Sequence, residues 1–93
     1  MTHKELSREL EICNRLGLHA RASARFVQLV TRFDAEIRVE KDGVQVGGDS
    51  IMGLMMLAAG PGSVITVRTH GRQAKQALQA LAELVQTRFG EKS

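Results

Sequence analysis

An α+β fold in the order βαββαβα, one sheet covered on one face by helices, follows from three features of the sequence. Apolar and polar residues alternate over four short segments, three other segments repeat their apolar residues at helical spacing, and glycine breaks separate the two kinds. A chain of 93 residues, 43% hydrophobic and 25% charged, has room for one core, so a single domain over residues 1–93 is expected.

From Lys4 to Ile12, residues Leu6, Leu10 and Ile12 share one parity and Ser7, Glu9 and Glu11 the other, which is the period of a half-buried strand. Gly17 turns the chain. Ala22, Phe26, Leu29, Val30 and Phe33 then recur at helical spacing and predict a helix over Ala20 to Phe33. Ile37 and Val39 alternate with Glu36, Arg38 and Glu40, Asp42-Gly43 supplies a hairpin turn, and Val44 and Val46 resume the alternation. Gly47-Gly48 ends this hairpin. Ser50 is placed as the N-cap of a short helix, Ile51 to Leu57, stopped by Gly60-Pro61-Gly62. A fourth strand runs from Val64 to Thr69. After Gly71, the residues Ala74, Ala77, Leu78, Leu81, Leu84, Val85 and Phe89 mark one face of a long last helix.

The longest apolar stretch, Ile51 to Gly60, is about half of what a membrane-spanning helix needs, and MTHKELSRELE is too charged for a signal peptide's apolar region. Neither membrane insertion nor export is expected. The single Cys13 cannot form an internal disulfide, so a reducing cytoplasm is expected, with Cys13 as a small buried hydrophobe at a strand end. His3, in the terminus, and His70, beside Gly71, read as solvated surface residues. No spacing among the three histidines suggests a zinc site, and neither metal nor cofactor is expected.

The net charge of +3 is unevenly spread. No acid lies between Ile12 and Phe33, where Arg15, Arg21, Arg25 and Arg32 fall, and none between Ser50 and Ala82, which holds Arg68, Arg72 and Lys75. Such a surface favours phosphate groups or an acidic protein partner. The first helix carries His19 at its N-cap, Arg21 two residues on, and Arg25 one turn further along the same face. Helix N-termini carry positive partial charge and unpaired N–H groups, which favour acids by ~0.3–1 kcal/mol and disfavour cations. Histidine and arginine are reasonable there if a dianion is to arrive. The same field disfavours imidazolium, leaving a nucleophilic ring, and then stabilises a bound phosphate. Phosphoryl transfer needs chiefly positioning and charge stabilisation, which helix amides and an arginine fork supply without a metal. A histidine beside a glycine turn also reads more plainly as a capping residue; the arginine-rich, acid-free setting favours the chemical reading.

The segment Leu16-Gly17-Leu18-His19-Ala20-Arg21-Ala22-Ser23 resembles the active-site loop of HPr, the histidine phosphocarrier family of the bacterial phosphotransferase system. Independently, Asp49-Ser50-Ile51-Met52-Gly53-Leu54-Met55-Met56-Leu57 resembles the segment of that family holding its regulatory serine. The resemblance covers about Glu5 to Phe89. It implies an open-faced β-sandwich, with a four-stranded antiparallel sheet in the order 1-4-2-3 and three helices on one face. It implies a carrier rather than an enzyme, phosphorylated by enzyme I on Nδ1 of His19, passing the group to IIA domains in sugar uptake. Arg21 would contact the phosphate, on a loop supported by Gly17, Leu18, Ala20 and Ala22. Two departures stand out. Ala22 replaces a usual proline, restoring one amide donor, and Leu16 stands where relatives often have a polar residue.

By itself Ser50 is an N-cap. The resemblance adds a regulatory role, because relatives in bacteria with HPr kinase/phosphorylase are phosphorylated at this serine. A phosphate there would add ~1.5–2 negative charges to the docking face and repel acidic partners. Asp49, where relatives often carry lysine, opposes that modification. A two-turn helix hides about half its surface. The resemblance points Ile51, Met52 and Met55 outward as a docking surface shared with Arg25; the plainer reading puts the methionines in the core.

Two other readings compete with this one. A basic βαββαβ pattern also suits an RNA-binding sheet, but the chain has no Trp or Tyr, and Phe26, Phe33 and Phe89 all fall on helix core positions. A member of the same family acting in a nitrogen- or carbon-linked regulatory phosphorelay, uncoupled from sugar uptake, is the alternative reading. A monomer is expected, because a carrier gains nothing from burying its docking face.

Overall fold

The computed structural model describes residues 4–93, and the reading of His3 lies outside it. Four strands, β1 (Leu6–Glu11), β2 (Glu36–Lys41), β3 (Val44–Gly47) and β4 (Val64–His70), form one antiparallel sheet in the order β1-β4-β2-β3. Three helices, α1 (Ala20–Val30), α2 (Ile51–Met56) and α3 (Ala74–Gln86), complete the expected βαββαβα order.

Register sets which residues face the helices. Leu10 pairs with Ile65, and Val39 with Val67, all four buried, whereas Glu9, Glu11, Glu36 and Arg38 alternate onto the solvent side. Phe26 of α1, Leu54 of α2 and Leu81 and Val85 of α3 close the core at 0% exposure. Burial of each such side chain is worth ~1.5–3 kcal/mol. Asp42 and Gly43 take the left-handed angles that a two-residue hairpin turn requires, φ 51° and 81°.

Three expectations are corrected. α1 ends at Val30, because Thr31 N makes the last helical bond, to Val27 O, and Arg32 and Phe33 turn to shorter ones, Arg32 N to Leu29 O and Phe33 N to Val30 O, so Phe33 packs on the core from outside the helix. α3 stops at Gln86, and a tight turn over Arg88–Gly90 follows in left-handed backbone, with φ of 59°, 55° and 77°. Phe89 is thereby buried at 1% exposure, but not as part of α3. Cys13 is exposed rather than buried: Ile12 before it takes the inward position, and the thiol reaches the Val85 carbonyl at 3.4 Å and the Gln86 carbonyl at 3.8 Å.

Candidate functional site

The loop before α1 is built around Gly17. Its backbone is left-handed, at φ 63°, and a Cβ there would stand 2.2 Å from the Ala59 carbonyl oxygen and 2.8 Å from Gly60 Cα. Leu18 N donates to the same Ala59 carbonyl at 2.9 Å. The chain leaving α2 therefore shapes the loop that presents His19. Leu18 and Ala22 are buried beneath it, while Ala20 and Arg21 are exposed.

His19 is the N-cap of α1, in extended backbone, and its Nδ1 accepts from Arg21 N at 3.3 Å. The carbonyl of His19 accepts the Ser23 amide, so the helix begins directly at this side chain and its first amides open toward the ring. The ring borders an open depression of about 510 Å³ lined also by Arg15, Leu16 and Arg21. Neither arginine is paired with a carboxylate among the described residues. A dianion at this place meets helix amides and two free guanidinium groups.

Reading the sequence missed Asn14 and Glu91. Glu91 Oε2 lies 2.5 Å from His19 Nε2, and Asn14 Nδ2 donates to Glu91 Oε1 at 2.9 Å and to the Gly17 carbonyl at 2.8 Å. Partial burial pushes the Glu91 carboxyl up, but the Asn14 and His19 hydrogen bonds and the charges of His19 and Arg25 more than offset this, holding it below the ordinary carboxylate range. Gly90 signals a break in the sequence, yet nothing local says that the break folds Glu91 back to residue 19.

Arg25 is one turn along α1 from Arg21, but its guanidinium donates to the Phe89 carbonyl and borders a separate groove with Gln28, Leu29, Arg32 and Leu84. Ser50 caps α2, its Oγ accepting from Gly53 N at 2.9 Å. Ile51, Met52 and Met55 are exposed, as is Met56 at 76%, while Leu54 and Leu57 are buried. The helices α1 and α2 pack on one another, which sets this apolar patch beside the arginine-bearing helix. Among the described residues no three His, Cys, Asp or Glu gather as metal ligands, no helix is long and apolar enough to cross a membrane, and no strand carries a Phe, Tyr or Trp.

The family model for the PTS HPr component phosphorylation site matches residues 6–87. Phosphocarrier protein HPr of Cupriavidus necator is 49% identical over 86 residues, covering 92% of this chain and 97% of that protein. Phosphocarrier protein NPr of Shewanella violacea is 42% identical over 89 residues, covering 96% and 98%. The crystal structure of a phosphocarrier protein HPr from Bacillus anthracis superposes with a TM-score of 0.84 at 47% identity, covering 87% of this chain and 96% of that one.

Proposed function

This chain belongs to the HPr family of phosphocarriers, and from that premise we propose that it takes a phosphoryl group onto Nδ1 of His19 from phosphorylated enzyme I and yields it to a IIA domain. The observation that carries the proposal is the position of His19: a reachable ring at the N-cap of α1, opening on a depression edged by Arg15 and Arg21. As the donor's bond to phosphorus breaks, Nδ1 forms its own, and the amides of α1 with the Arg21 fork take up the phosphate's charge. The group leaves by the reverse of these steps, so the protein is a carrier and ends each cycle unchanged.

Incubation with enzyme I and phosphoenolpyruvate, followed by intact mass and an acid-lability test, checks this. One acid-labile phosphate is expected on the wild type and none on His19→Ala. An unlabelled wild type, under conditions that label a standard carrier, rejects the assignment.

Coupling to sugar uptake in the cytoplasm is the first reading. The relative named NPr supports a second, a regulatory phosphorelay, and the IIA domains that accept phosphate from the labelled protein separate the two. We also propose Ser50 as a regulatory site for an HPr kinase/phosphorylase. Its cap position supports this, since a phosphate there meets the positive end of α2 without unfolding it while adding charge beside Ile51, Met52 and Met55, where acidic partners would dock with Arg25.

A further inference from the structure

We propose that Glu91 is a positioning residue for phosphoryl transfer: its carboxylate keeps the ring proton of His19 on Nε2, leaving Nδ1 as the nucleophile, and offsets the ring's charge while Nδ1 carries phosphate. The inference rests on His19 being the phosphorylated residue.

Two contacts assign the tautomer. A backbone N–H can only donate, so the 3.3 Å contact from Arg21 N makes Nδ1 an acceptor with its lone pair directed at the start of α1. The proton of the neutral ring then sits on Nε2, where Glu91 Oε2 receives it at 2.5 Å. The carboxylate is itself held, since its other oxygen takes the Asn14 amide at 2.9 Å, and Asn14 is fully buried. Asn14 thus ties the Gly17 turn and Glu91 into one frame around the ring.

The backbone that delivers Glu91 is costly. Arg88 and Phe89, neither of them glycine, occupy left-handed angles in succession before Gly90. Such conformations persist only where the surroundings fix them, here by the burial of Phe89 and by Arg25 on the Phe89 carbonyl. Their result is that α3 is cut short and the chain is turned back onto His19.

In the transfer step the Nδ1 lone pair forms the bond to phosphorus as the donor's bond breaks. Nε2 keeps its proton, so the ring becomes a cation. A carboxylate on Nε2–H offsets that charge, as an oriented aspartate does for the histidine of a hydrolase triad. When the phosphoryl group departs, the electron pair returns to Nδ1 and the ring is neutral again; Glu91 neither gains nor loses a proton. Arg15 and Arg21, which face the ring from the loop and from α1, and Arg25 behind Phe89 are left to serve the phosphate and the turn.

The test is nitrogen NMR of the His19 ring in the unphosphorylated protein, wild type against Glu91→Gln, with the second-order rate of phosphoryl transfer from enzyme I and the melting temperature of both. The wild type is expected to show the neutral ring protonated on Nε2. Glu91→Gln should fold with a melting temperature near that of the wild type, change the tautomer ratio, and transfer about 10- to 100-fold more slowly, the usual cost of losing a group that orients a functional histidine. Glu91→Asp should recover part of the rate. A wild-type ring protonated mainly on Nδ1, an unchanged ratio in Glu91→Gln, or a rate within twofold of the wild type overturns the proposal. Because the ring is read before phosphorylation, these outcomes are distinct from failure of the carrier reading, which shows as a wild type that takes no phosphate or as acid-labile phosphate persisting in His19→Ala.

Discussion

Gly17 has two reasons to be glycine, and together they make it the most exacting position in the loop. Its φ of 63° disfavours any Cβ, and the space a Cβ needs is filled by the Ala59 carbonyl and Gly60 Cα, both backbone. Backbone cannot swing aside as a side-chain tip can. Gly17→Ala is therefore expected to cost about 2–4 kcal/mol in urea unfolding and to weaken phosphorylation of His19 through the displaced loop. The sequence disclosed this position because a glycine turn before a helix is a local signal. His19 and Arg21 were legible for a similar reason: basic side chains at a helix N-terminus run against the local field, and two residues of context reveal it. Asn14 and Glu91 carry no such mark. Glu91 is 72 positions from His19 and 77 from Asn14, and only the folded chain brings a loop asparagine and a carboxylate past the last helix together.

At the level of elements, periodicity located every helix and strand and failed at their ends. Phe33 and Phe89 fall at the spacing of α1 and α3, yet a turn after the helix lays Phe33 against the core and carries Phe89 into it. Apolar spacing reports that a residue is buried; it does not report the hydrogen bonds that put it there. The outward face of α2 holds Ile51, Met52 and Met55 as the family resemblance indicated, and Met56 joins them because a helix of six residues buries only the stripe of Leu54, with Leu57 as its cap. The turn at Arg88–Gly90 joins packing to chemistry most directly. Phe89 supplies the burial that offsets two left-handed residues and so holds Glu91 in place. Phe89→Ala is expected to cost about 3–5 kcal/mol in chemical denaturation. The same variant should release Glu91, so the His19 ring signals of Phe89→Ala are expected to move in the direction seen for Glu91→Gln.

On the scale of the whole molecule, the order of elements follows from local pattern, but the pairing of β1 with β4 and the place of β4 at the centre of the sheet do not. Those are contacts between distant segments, and they came from the family resemblance alone. The folded topology also sorts charge. The solvent face of the sheet mixes carboxylates with arginines, Glu9, Glu11, Glu36 and Glu40 with Arg38 and Arg68, whereas Arg15, Arg21, Arg25 and Arg32, none of them in an ion pair with a carboxylate among the described residues, belong to the loop and helix at the His19 site and the groove beside it. A cationic face on a protein of net charge +3 steers an acidic partner toward one orientation and acts mainly on the rate of encounter. Exposed charges act over a Debye length of about 10 Å at 0.1 M salt and about 3 Å at 1 M, so the effect must fade as salt rises. The second-order rate of transfer from enzyme I is thus expected to drop by about an order of magnitude between low and high salt. Arg32 tests this apart from the chemistry, because it is exposed and lines the groove of Arg25 rather than the depression at His19. Arg32→Glu should slow transfer several-fold at low salt, leave the rate within the bound complex unchanged, and match the wild type at high salt. A rate equal to wild type in stopped-flow measurements at low salt would place the steering field elsewhere than on this face.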